Sequence, residues 1–184
     1  AINDKTITYT YTIKVGDNGV LSIKSYTGTG IKDLSDNECT LPTTVTLSSD
    51  SNRITADTIA PVVSSITANR TSPTNTGNIT YTVVFSEAVT GFAASDVTVN
   101  SGKGTVTSVT GSGTTYTVVV STTDNQEYTE TITIKANGAT IDKAGNKVTT
   151  AKTSTGIVVD RIDPTISTIT ANRTSPTNAS SITY

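Results

Sequence analysis

Apolar and polar positions alternate along this chain. Ile79, Tyr81, Val83 and Phe85 are interleaved with Thr80, Thr82, Val84 and Ser86, a period of two that predicts a strand with one buried face. Residues 96–99 alternate in the same way, as do Tyr116, Val118 and Val120. Ile132, Ile134 and Ala136 form another apolar face, with Thr133 and Lys135 directed outward. Val106 and Val109 mark a less regular strand. With a leading strand at 63–67 and a closing one at 156–159, the pattern predicts about seven strands. Turn residues separate them: Ser72-Pro73-Thr74-Asn75, Gly102-Lys103-Gly104, Gly111-Ser112-Gly113, Asp124-Asn125 and Asn137-Gly138. No segment carries a helical period.

The strand pattern recurs. Residues 66–75 and 169–178 both read ITANRTSPTN, a spacing of 103 that also carries Asp57 onto Asp160 and Pro61 onto Pro164. A weaker echo relates 11–37 to 116–146, matching Tyr11 to Tyr116, Ile23 to Ile134, Lys24 to Lys135 and Asn37 to Asn146. A period near a hundred residues is too long for a solenoid unit. It is the size of one Ig-like β-sandwich. The expected fold class is therefore all-β, with tandem Ig-like sandwich modules of about seven strands and no significant helix. Residues 1–57 are expected to be the C-terminal part of a divergent repeat, 58–160 a complete repeat, and 161–184 the N-terminal strands of a further one. Pro61 and Pro164 stiffen the entry to each following module.

Composition agrees with strands. Hydrophobic residues make up 34% and charged residues 15%; much of the remainder is Thr, whose branched Cβ suits a pleated surface. The net charge of −2 comes without a basic cluster, which argues against a nucleic-acid partner. No apolar run approaches the roughly 18 residues of a membrane span. The chain has no His, so Ser–His and Cys–His pairs and His-ligated zinc are excluded. Cys39, the single cysteine, has no internal disulfide partner.

Three stretches carry a family resemblance. They are Asp57-Thr58-Ile59-Ala60-Pro61; the run from Phe85-Ser86-Glu87 through Gly91-Phe92 to Ser95-Asp96-Val97, preceded by Ser72-Pro73-Thr74-Asn75; and Ile141-Asp142-Lys143-Ala144-Gly145-Asn146. Together they resemble the bacterial Ig-like repeats of large surface and adhesin proteins. The resemblance covers 57–160 fully, 161–184 strongly and 1–56 in part; at the last junction Arg161 and Asp163 replace Thr and Ala. It implies an exported, extracellular or cell-surface bacterial protein whose repeats form stalks, fibres or layers. Neighbouring repeats of the same chain, and other copies of the protein, are the implied partners. Two alternatives of another class are an adhesive module for glycans or proteins, with Tyr26 and Tyr128 as contacts, and a decoration domain of a phage particle.

The sequence points to no catalysis. Gly102-Lys103-Gly104-Thr105 lacks the full phosphate-loop spacing. Glu87, Asp96, Glu127 and Glu130 read as solvated surface carboxylates rather than a glycosidase pair. Lys135 sits on a polar face, which disfavours an intramolecular isopeptide. Asn69-Arg70-Thr71, Asn78-Ile79-Thr80 and Asn172-Arg173-Thr174 match the N-glycosylation pattern, as abundant Asn and Thr make expected. Calcium is the one ion the residues suit, because Ca²⁺ takes hard oxygen ligands. The candidate ligands are Asp57, Asp160 and Asp163 at junctions, and Glu87, Asp142 and Asn146 in loops.

Overall fold

A computed structural model describes residues 10–21, 32, 35–38, 54–176 and 178–184. Tyr26 and Cys39 lie outside the described residues. The alternating segments become strands. In the complete repeat these are β3 (Val63–Ala68), β4 (Asn78–Thr90), β5 (Val97–Val99), β6 (Thr105–Ser121), β7 (Glu127–Glu130), β8 (Ile132–Ile134), β9 (Ile141–Asp142), β10 (Lys152–Thr153) and β11 (Ile157–Asp160). Ahead of them, β1 (Asn18–Val20) pairs antiparallel with β2 (Thr55–Asp57). Among the described residues the fold is all-β, with a 3-10 turn at Ala94–Asp96 before β5.

Two layers enclose one core. The first is β3-β4-β6, with β9 added along the far end of β4. The long β6 folds back on itself at 111–113: the Thr105 and Ser121 hydroxyls meet at 2.9 Å, and the Thr107 hydroxyl donates to the Val119 carbonyl at 3.1 Å. Gly111 and Gly113 supply the positive φ that the turn needs. The second layer holds β10-β8-β5 and β11-β7. β7 and β8 are consecutive stretches interrupted at Thr131. Ile79, Tyr81, Val83, Phe85, Val118 and Val120 of the first layer share one core with Val97, Ile132, Ile134, Ile157 and Val159 of the second. Phe85, Phe92 and Tyr116 close one end as a T-shaped triad, with centroids 5.2–5.9 Å apart.

Strands β7, β9 and β10 were not expected from the pattern. β7 reads Glu-Tyr-Thr-Glu, and Glu130 breaks the apolar alternation while being fully buried. The surface reading of Asp96 and Glu130 is thereby corrected, since both lie in the interior. Glu130 accepts hydrogen bonds from the Ser101 hydroxyl at 2.5 Å and from Thr131 N–H at 3.0 Å, which is why a carboxyl can sit there. Beside it, Tyr81 has its hydroxyl buried with no partner in hydrogen-bonding geometry. Burial, then the charges of Glu130 and Tyr128, pushes its pKa up to about 12, against a smaller opposing pull from Ser154. Removing that hydroxyl removes an unmet polar group. Tyr81→Phe is therefore expected to leave stability unchanged or raise it, by up to about 1–3 kcal/mol. Urea unfolding measures this, and a loss above ~1 kcal/mol would mean the hydroxyl has a partner.

The described residues on either side of 58–160 echo parts of it. Asn18↔Asp57 and Val20↔Thr55 reproduce Glu127↔Asp160 and Thr129↔Val158. The Lys32↔Glu38 bridge reproduces Ile141↔Lys147, and Asp36 holds a φ of 71° where Gly145 holds 93°. Both segments align at a spacing of 109. The Asn37–Asn146 match has that same spacing. Ile23 and Lys24 themselves lie outside the described residues.

At the other end, Asn172 and Thr183 pair as Asn69 and Thr80 do. In both, N–H to carbonyl is 2.9 Å, and the Asn side chain accepts the return bond at 3.1 and 3.0 Å. No ladder forms among the described residues of 161–184. Ile166, Ile169, Ile182 and Tyr184, counterparts of Val63, Ile66, Ile79 and Tyr81, are exposed.

Candidate metal centre

Three carboxylates meet where the first junction enters the complete module. The ligand oxygens of Asp57, Glu87 and Asp142 lie within 4.8 Å of one another. Each arrives on a different element. Asp57 ends β2, and its Oδ1 accepts the N–H of Ile59 at 3.0 Å, a local turn that starts the linker. Glu87 lies in the irregular part of β4, between the pairings of Val84 and Val89. Asp142 is on β9, held against β4 by the Val89↔Asp142 pairing.

Asn146 organises the group. Its backbone N–H donates to Asp142 Oδ1 at 2.9 Å, and its side-chain amide donates to Asp142 Oδ2 at 2.8 Å and to the Asp57 carbonyl at 3.1 Å. Gly145, at a φ of 93°, turns the chain so that these donors converge. The Ile141-Asp142-Lys143-Ala144-Gly145-Asn146 loop is thus a carboxylate holder that also grips the junction.

The electrostatics differ between the acids. Burial, then Asp142 and Asp57, raises the pKa of Glu87 above the usual glutamate range. Burial also pushes Asp142 upward, but bonds from Asn146, then from the N–H groups of Ala144 and Gly145, outweigh it and hold its pKa below the usual aspartate range. Asp142 is therefore a fixed anion, and Glu87 is a carboxylate whose charge is resisted by its neighbours. A cation between them would relieve that resistance.

The donor set fits calcium: all of its atoms are oxygens, and three carboxylates supply up to six of the six to eight ligands Ca²⁺ takes. Asn146 can offer an ion only its amide oxygen, since its nitrogen is committed to Asp57 and Asp142. Of the six sequence candidates, Asp57, Glu87, Asp142 and Asn146 come together, whereas Asp160 and Asp163 do not. Asp160 is exposed at the opposite end of the module, where its Oδ1 caps Ile162 N–H at 3.1 Å, as Asp57 caps Ile59. Asp163 is exposed. Asp160 is the residue onto which the 103-residue spacing carries Asp57.

Tyr128, a candidate ligand contact, is half-buried against the core, and its hydroxyl accepts Thr123 N–H at 3.0 Å. Lys135 is exposed and bonds the Ser95 carbonyl at 2.8 Å. Among the described residues no helix is long and apolar enough to cross a membrane.

In comparisons with known proteins, a family model described as a bacterial Ig-like domain matches residues 57–159. No curated protein and no solved structure matches the chain.

Proposed function

This chain belongs to the bacterial Ig-like domain family, and from that membership we propose that it is a structural spacer in an extended bacterial surface or extracellular protein, a fibre, layer or adhesin stalk. Catalysis is no part of this role. The observation that carries the reading is repetition in register. The ten-residue run at 66–75 returns at 169–178, and its Asn69–Thr80 pairing returns at Asn172–Thr183 with the same geometry. Repeating a module that owns its core adds length without adding chemistry.

Calcium, held by Asp57, Glu87 and Asp142 with Asn146 as organiser, would bind the end of one module to the loops of the next. The ion supplies positive charge to a triad of like-charged groups and thereby stiffens the joint. Other copies of the chain are the proposed assembly partners, since an edge strand of a sandwich offers unpaired backbone groups.

Small-angle X-ray scattering tests the spacer reading. A compact 184-residue globule has a radius of gyration of about 16 Å. Modules in a row are expected to give a value well above that, with a rod-like profile that persists at low concentration. A value near 16 Å would overturn the reading.

A further inference from the structure

Two adjacent residues at the first junction are anchored in opposite directions. Asp57 reaches forward: its carbonyl accepts the Asn146 amide at 3.1 Å, and its carboxylate joins those of Glu87 and Asp142, all in the complete module. Thr58 reaches back. Its hydroxyl accepts Gly16 N–H at 3.0 Å and donates to the Asp17 carbonyl at 3.1 Å, so both of its hydrogen-bonding capacities are used on the preceding module. The Gly16-Asp17 loop is itself ordered, since the Asp17 carboxylate accepts Lys14 N–H at 2.8 Å and the Tyr11 hydroxyl at 2.9 Å.

The second junction repeats the backward half with different chemistry. Arg161 stands where Thr58 stands, one residue after the Asp. Its N–H donates to the Gln126 carbonyl at 3.1 Å, and its guanidinium donates to the Thr122 hydroxyl at 3.1 Å and pairs with Asp124. Residues 122–126 form the loop that corresponds to Gly16-Asp17 in the preceding module. Both junctions therefore tie the residue after the Asp to the same loop of the module behind.

We infer that the Asp and the residue after it form a two-way clasp that fixes the angle between consecutive modules, with loop 122–126 and Arg161 as the seat on which the following Ig-like module is set. This rests on the spacer reading and adds how the spacer is stiffened. The physics is a count of freedoms. The Asp57 carbonyl gripped by Asn146 lies in the same planar peptide unit as the Thr58 nitrogen, so only φ and χ1 of Thr58 separate it from the Thr58 hydroxyl held by Gly16 and Asp17. A joint tied that closely has little room to bend.

Thr58→Val keeps the shape and removes both backward bonds, whereas Thr58→Ser keeps the hydroxyl. Spin labels at Thr12→Cys and Lys103→Cys, in the full chain with Cys39→Ser, report the inter-module distance by pulsed electron resonance. In EGTA the parent and Thr58→Ser are expected to give one narrow distance, and Thr58→Val a broad distribution at an unchanged melting temperature. A narrow distance in Thr58→Val beside a narrow parent would overturn the clasp alone. A broad parent, with and without calcium, would overturn the spacer reading beneath it.

Discussion

Calcium in about hundredfold excess over its dissociation constant is expected to stabilise this chain by about 2.7 kcal/mol, a rise of roughly 10–20 °C in melting temperature that EGTA reverses. Extracellular modules bind calcium at about 10⁻⁴–10⁻³ M, so the full effect needs about 10–100 mM and the scan runs up to that range. The sign of the effect in variants separates an ion site from a mere acidic cluster.

Glu87 has a raised folded-state pKa. The folded chain therefore binds its proton more tightly than the unfolded chain, and stability is lost as pH rises through that value. Asp142 has a lowered one, so its contribution is present above the unfolded value and lost as pH falls through the folded value. Ion-free stability should consequently peak between the two, on the acid side of neutrality. Glu87→Gln removes the resisted charge: in EGTA at pH 7 it should melt above the parent, and in calcium below it. Asp160→Asn and Asp163→Asn should leave the calcium response intact. A parent whose melting temperature ignores calcium, or a Glu87→Gln that is weaker in EGTA, would remove the ion from this account.

Asp96→Ala is expected to cost about 3–5 kcal/mol, the other large effect in the molecule. The Asp96 carboxylate is buried and accepts three bonds: Ala93 N–H at 3.2 Å, Ala139 N–H at 3.0 Å and the Thr140 hydroxyl at 3.2 Å. It ties the 3-10 turn before β5 to the loop between β8 and β9. Truncation leaves those donors inside the protein without an acceptor, at roughly 1–3 kcal/mol for each one that stays dry. Asp96→Asn keeps one acceptor oxygen but turns an NH₂ toward a donor, so it should fall between parent and Ala. Gly138→Ala attacks the same site from the other side, since a Cβ there would collide with Asp96 Oδ1. Exposed Glu127→Ala is the control, expected within about 0.5 kcal/mol. Urea midpoints at constant slope measure the series. Asp96→Ala unfolding within ~1 kcal/mol of the parent would show that water replaces the carboxylate there.

Asp96 and Glu130 mark a boundary of sequence reading. Carboxylates are mostly exposed, and nothing in a local window says otherwise. The donors that satisfy Asp96 are supplied mainly from residues 139 and 140, more than forty positions away. Glu130 is satisfied in part by Ser101, 29 positions away. Residues that close such long-range contacts look, in sequence, like polar residues on a solvated face. The metal candidates show the same limit from the other side. Asp142 and Asn146 were legible as a loop because their bonds are local. That Asp57 and Glu87 join them, and that Asp160 does not, depends on how β2, β4 and β9 are brought together.

Alternation along the chain determined the strands, because a pleated backbone sends successive side chains to opposite faces and Ile79, Tyr81, Val83 and Phe85 need only that rule to face inward. The recurrence at 103 residues carries Asp57 onto Asp160 and residues 66–75 onto 169–178, and the expectation of tandem modules rests on it. The tertiary structure alone decided which acids lie together, which carboxylates are buried, and that Asp57 is bonded by Asn146 while Thr58 bonds Gly16 and Asp17. Each of these turns on bonds between residues far apart in sequence, and no period or propensity encodes such distances.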